Sequence, residues 1–311
     1  MGDVSARALW ERYEPVHDLV YFAPEVRLAA DGLGLRGFWM GYFALRAAPL
    51  GPVSAPVVTS CFYVFHPDRV ARALPDAWRY AAPADVLAAR EEAVDAAMIR
   101  LFGRDTVTGS RMAEAADLAW TAAAAADTAG RVLGAANQAL RRPEQPHVRL
   151  WQALTTLREH RGDGHVAVLV ARGLGPVAAM VLKAAAGESD GALLRQGRKW
   201  DMTAWRAAEA GLRERGWLGE DGTLTAAGAA VHADVEARTD AAAEQPWTAL
   251  GKDGSARLAG LLEPLAKAVL DSGVIPSGNP VGLTGGLWDS SGVAGTAVDT
   301  STGGDTGTRG R

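Results

Sequence analysis

An all-α fold carrying one small β-ribbon is what the 311-residue sequence predicts, and three observations carry the prediction. Apolar residues recur at three- and four-residue spacing through most of the chain, as on the buried faces of amphipathic helices. Alanine-rich segments, above all 112–140, favour long helices. In only one place, RGWLGEDGTLTAAG (215–228), do two short stretches flank an Asp-Gly turn of the kind that closes a hairpin.

From Val4 to Phe22, the positions Leu9, Trp10, Tyr13, Val16, Leu19 and Val20 mark an amphipathic helix with a kink at Pro15. Helical patterning continues over 24–46, and its second half, FWMGYFALR, is apolar almost all round and so predicts a buried helix. Pro49, Gly51, Pro52 and Pro56 then place a loop. The run VVTSCFYVFHP has β-prone composition, but with helical neighbours and no partner strand it is expected as a buried helix. Helices are expected to begin at His66-Pro67-Asp68, at Pro75-Asp76 and at Pro83, the last reaching Gly103. The stretch 112–140 reads as one long helix with Gly130 as its weak point. RRPEQPH (141–147) combines charge with two prolines, which sets the boundary between a helical N-terminal domain, 1–142, and a second domain, 143–279.

The second half reads as a helix over 148–160, a turn, a helix over 166–172, a turn at 173–175, and a helix over 176–186. A loop leads to a helix over 203–215, the β-ribbon, and helices over 226–242 and 256–270. The remaining tail, 280–311, is Gly, Ser, Thr and Asp with few apolar residues and is expected to be disordered. Helix, turn, helix, a further helix, a ribbon and a long helix is the order of a winged helix-turn-helix domain. The expected fold is therefore a helical N-terminal half plus a winged helix-turn-helix C-terminal domain. LRERGWLGEDGTLTAAGAAVHADVEARTD resembles the wing and following helix of MarR-type regulators, with its Arg-Gly, hairpin, Leu-Thr and glycine. The whole chain is similar to an actinobacterial family with such a domain at the C-terminal end; the resemblance implies a fold and no particular reaction.

Charge bears on the partners. The chain carries a net charge of −4 with an isoelectric point near 5.9, so it has no general attraction for nucleic acid or anionic lipid. Cys61 is the single cysteine, which excludes an internal disulfide framework and multi-thiolate metal sites. With no apolar stretch behind a basic start and no run near the roughly 20 apolar residues that span a bilayer, a cytoplasmic protein without a membrane partner is expected. If the helix-turn-helix pair lies at 166–186, its reading helix, PVAAMVLKAAA, offers Lys183 alone to a base edge. The alternative DNA-contacting stretch holds Arg195, Arg198, Lys199 and Arg206, which suit phosphates. Glu220 and Asp221 at the ribbon tip would repel the DNA backbone, so DNA stays an unfavoured partner.

Polar residues in apolar surroundings are the candidates for chemistry. REHRGDGH (158–165) sets Glu159, His160, Arg161, Asp163 and His165 together. His160 or His165 beside a carboxylate could serve as a general base, but the spacing matches no zinc pattern and no metal is expected. The competing structural reading makes the octapeptide a helix end, with Gly162 as its stop and Asp163 as the cap of the next helix. Tyr42 and Arg46 lie four apart on one face of an apolar helix, where Arg46 must find an anion: a ligand, or Glu25 or Asp31. His66, behind Phe62, Tyr63 and Phe65, reads as a pocket wall or a helix-end residue. No phosphate loop, dinucleotide fingerprint or nucleophile elbow occurs, so no cofactor is named. These features favour a small-molecule-binding protein on a winged-helix scaffold whose DNA-reading helix is degraded, its ligand held between the halves by Tyr42, Arg46, His66, Glu159, Arg161 and Asp163. A ligand-responsive MarR-like regulator and a cofactor-independent enzyme of secondary metabolism using His160 or His165 are the alternatives, and a homodimer stays open.

Overall fold

Proline and glycine punctuate this chain into sixteen α-helices, seen in a computed structural model that describes residues 4–276 and 279. The tail over 280–311 lies outside the described residues. Helix α1 (Ala6–His17) runs through Pro15 and is followed by α2 (Leu19–Phe22), α3 (Pro24–Gly32) and α4 (Gly37–Ala47). The single helix expected over 24–46 is thus two, because Gly34 and Gly37 take φ of 75° and 72° and turn the chain. Short helices α5 (Ala55–Phe62) and α6 (Pro67–Ala71) precede α7 (Pro83–Phe102), which starts on its proline and stops at Gly103. After α8 (Arg104–Thr108), the alanine-rich stretch divides into α9 (Ser110–Ala125) and α10 (Val132–Gln138), with Gly130 at φ 71° in the break.

At the centre lies α11, Pro146–Ala171, a 26-residue helix buried on every side for its first two-thirds. It corrects the turn expected at Gly162. The octapeptide REHRGDGH is uninterrupted helix, Gly162 does not end it, and Asp163 caps nothing in α11; its Oδ2 accepts the Gly134 N–H of α10 at 2.8 Å. Packing overrides local preference here, since Gly164 leaves room for the Arg131 guanidinium, which donates to the carbonyls of His160 (2.6 Å) and Ala242 (2.7 Å).

Beyond α11 come α12 (Pro176–Ala185), α13 (Gly191–Arg198), α14 (Met202–Glu214), α15 (Ala226–Ala242) and α16 (Gly251–Asp271). The expected β-ribbon is not formed: among the described residues there is no strand, and the segment between α14 and α15 makes one isolated antiparallel bridge, Leu218 to Leu224. Too few residues remain for a ladder. Gly219 N–H already closes on Thr223 O at 2.8 Å, Gly222 takes φ 80° in the turn, and Thr225 is consumed as the N-cap of α15. The architecture is all-α with no wing strand.

Two apolar cores result. The larger joins α1 to α10, the first part of α11 and α16; the smaller gathers Leu169, Leu174, Val177, Met180, Leu194, Trp205, Leu212, Leu218 and Val235 from the end of α11 through α15. Segment 63–66 pins one to the other: the Tyr63 hydroxyl donates to Leu174 O, Trp200 Nε1 donates to Val64 O at 2.8 Å, and the His66 N–H donates to Arg198 O at 3.0 Å. No single helix among the described residues is long and apolar enough to cross a membrane.

Candidate functional site

Helices α13 and α14 meet across a tight connection. Lys199, in the left-handed region at φ 66°, ends α13, and Asp201 caps α14 by accepting the Ala204 N–H at 2.7 Å. Trp205 and Leu212 anchor α14 in the smaller core, while Met202, Thr203, Arg206, Ala207 and Ala210 are exposed along its outer face. This arrangement explains the charge-poor sequence of α12: Val177, Met180, Val181 and Leu182 are buried, so α12 is the core-forming helix behind the pair and not its reading element.

A second polar region lies where α1, α4, α7 and α11 meet. Arg46 lays its fork on Glu159, Nε to Oε1 at 2.7 Å and Nη2 to Oε2 at 2.9 Å, while Nη1 donates to the Tyr42 hydroxyl at 3.1 Å. Its face covers the Phe62 ring at 4.1 Å. Arg158 bridges Glu159 (3.1 Å) and Glu14 (3.3 Å). Burial alone would raise the Glu159 carboxyl, but Arg46 and Arg158 overcome it and hold Glu159 well below the usual carboxylate range. Asp18, fully buried with both oxygens unpaired, is driven the other way by burial and by Glu14, and is held as the neutral acid. His17 spans Thr155 and Tyr21, each at 3.0 Å; burial and then Arg158 push its pKa far down, so it is neutral. Arg90 rests on two neutral oxygens, Leu45 O (3.0 Å) and Gln152 Oε1 (3.3 Å), and burial lowers its pKa to about 10. The enclosed space between these groups is about 10 Å³, room for about one water.

Of the residues picked out from the sequence, Tyr42, Arg46 and Glu159 therefore converge. The anion that Arg46 required is Glu159, not Glu25 or Asp31: Glu25 pairs with Arg100 and Asp31 with Arg27. The others do not join them. His66 is the N-cap of α6, accepting the Asp68 N–H at 3.1 Å with its ring edge-on to Trp200. Arg161 pairs with Asp240 at 2.6 Å over Trp10. His160 faces Asp127 and Arg131, and His165 faces Thr239 Oγ1 at 2.9 Å. The two histidines thus point to different elements and share no site, and no group of three or more His, Cys, Asp or Glu able to hold a metal occurs among the described residues. Of the cations considered for DNA, Arg195 donates to Trp200 O (3.3 Å), Lys199 faces Asp68 (3.8 Å), Arg198 covers Phe65, and Arg206 is free on α14. Sequence reasoning passed over Glu14, Asp18, Arg90 and Arg158; Glu14, His17 and Asp18 follow the apolar stripe of α1, the signal that they point inward.

Burial leaves a titration signature. Desolvation lowers His165 from 6.5 to about 4, so the unfolded chain binds the extra proton between those values. The stabilisation is complete above about 6.5 and is lost as pH falls through about 4. Asp163, raised by burial to about 6, acts with opposite sign, its contribution present below about 4 and lost as pH rises through 6. His165→Gln is expected to flatten the rise in unfolding midpoint between pH of about 4.5 and 7, each unit of depression being worth about 1.4 kcal/mol; an unchanged slope would remove His165 from the acid response.

Three packed helices, α12 to α14, with a tight α13–α14 connection and an exposed second helix define a helix-turn-helix protein. Residues 6–276 match the helix-turn-helix family, and the chain belongs to it. No curated protein and no solved structure matches the chain.

Proposed function

We propose that the chain is a DNA-binding, regulator-like protein that presents α14 to a DNA groove. The observation that carries this reading is the outer face of α14, where Thr203, Arg206, Ala207 and Ala210 stand free while Trp205 and Leu212 fix the helix from behind. Arg206 is the side chain suited to a guanine edge or a phosphate, and the alanines let the helix approach closely. The order of helices, with Leu224-Thr225 leading into α15, supports a kinship with MarR-type regulators in helix order alone.

Electrostatics set how such binding behaves. Over residues 190–225, Arg195, Arg198, Lys199, Arg206, Arg213 and Arg215 are balanced by Asp190, Asp201, Glu209, Glu214, Glu220 and Asp221. Few phosphates are neutralised, so affinity has a shallow salt dependence and discrimination rests on contacts with bases. Selection from a random duplex library is expected to enrich one sequence, and Arg206→Ala to weaken its binding by about 1–3 kcal/mol, roughly 5- to 150-fold. A library that enriches nothing at any salt concentration would refute the reading.

A further inference from the structure

Arg198, the last residue of α13, is a charged group without a charged partner at the seam between the two cores. Among the described residues its side chain makes no ion pair and no hydrogen bond; its guanidinium lies over the Phe65 ring at 4.4 Å, and its Nε is buried and unpaired. Phe65 stands 5.6 Å from Tyr42 and 6.3 Å from Phe62, centroid to centroid, and Phe62 carries Arg46 on its face. Arg46 and Arg158 therefore border the same aromatic wall as Arg198, close enough for both to depress its proton affinity.

The donors at this seam differ in commitment. Arg46 spends all three nitrogens on Glu159 and Tyr42, whereas Arg158 commits Nε and Nη1 and leaves Nη2 unbonded. Three guanidinium groups face the two ionised carboxylates of Glu14 and Glu159, because buried Asp18 is protonated, and Arg90 adds a further positive charge at the floor. Positive charge left uncompensated in partly buried surroundings is costly and calls for an anion. The 10 Å³ space beneath is too small for one; the Arg158 side chain, 19% exposed, and Arg198, half-buried, lie where solvent reaches.

We propose that an oxyanion, the carboxylate or phosphate group of a small molecule, binds between Arg158 and Arg198 against the Tyr42–Phe62–Phe65 wall. Two planar forks over an aromatic floor suit a group with two or more coplanar or tetrahedral oxygens and a short organic body. The site stands on its own residues and does not depend on DNA binding by α14.

Calorimetric titration of the full chain with inorganic phosphate and, separately, with succinate, at constant ionic strength in chloride, tests the proposal. Saturable binding of at least one anion is expected, weakened tenfold or more by Arg198→Gln and unaffected by Arg206→Ala. Phosphate alone or succinate alone identifies which oxyanion the site takes. In anion-free buffer Arg198→Gln should unfold at the same denaturant concentration as the parent or higher, since it removes an unpaired charge; a merely structural Arg198 would lower that midpoint. Arg198→Lys keeps the charge without the fork and should retain only part of the affinity. No saturable binding of either anion, or binding that survives Arg198→Gln unchanged, overturns the proposal.

Discussion

Arg46→Met is expected to destabilise the protein by about 3–5 kcal/mol, the cost of leaving a buried carboxylate without its main counter-charge. Glu159 is 2% exposed at its side chain and would keep only Arg158, at 3.1 Å, while the Tyr42 hydroxyl and the Phe62 face would lose their cation. The loss does not measure the pair's net contribution. Replacing both partners, Arg46→Met with Glu159→Met, removes the stranded charge and should cost less than the two single changes together, with a coupling of about 0.5–3 kcal/mol. Denaturant midpoints with unchanged slopes report all three. An Arg46→Met protein within about 1 kcal/mol of the parent would mean that Arg158 or entering water takes over Glu159.

That pair shows what could be seen in the sequence. An arginine in FWMGYFALR had to meet an anion, and so it does, but the partner lies 113 residues away on α11. Local chemistry states the need; only the fold chooses the carboxylate. Helix ends were legible where proline and glycine act through φ alone, as at Pro83 and Gly103 of α7. The same reasoning failed at Gly162 and Gly164, because these glycines serve close approach and not a turn. The helix α11 gains more from burial on all sides than it loses to glycine propensity. Gly134 acts likewise: a methyl group there would stand 3.0 Å from the Cα of His160, so α10 can lie this close to α11 only without one. Nor could the ribbon be judged from its Asp-Gly turn. The turn forms, but Thr225 caps α15 and ends the pairing after one bridge.

Gly228→Ala is expected to cost about 1–3 kcal/mol, as overpacking at an unyielding contact does, and to act on the helix-turn-helix unit in particular. Gly228 is the third residue of α15, and an added Cβ would collide with the carbonyl of Trp217, a backbone group that no rotamer change can move aside. That carbonyl accepts the Thr225 N–H at 3.1 Å, and the Thr225 hydroxyl caps α15 through the Gly228 N–H at 3.0 Å. Displacing Trp217 therefore disturbs the Leu218–Leu224 bridge and the C-terminal support of α14 together. This gives the glycine that follows Leu-Thr a physical reason. Gly260→Ala supplies the contrast: it lies exposed within α16 with nothing near its Cβ position, so it should stabilise by about 0.5–1 kcal/mol through helix propensity. Hydrogen exchange separates the two effects, since only Gly228→Ala should speed exchange in α14 and the first turn of α15. Equal protection of those amides in both variants would show that the turn between α14 and α15 yields without cost.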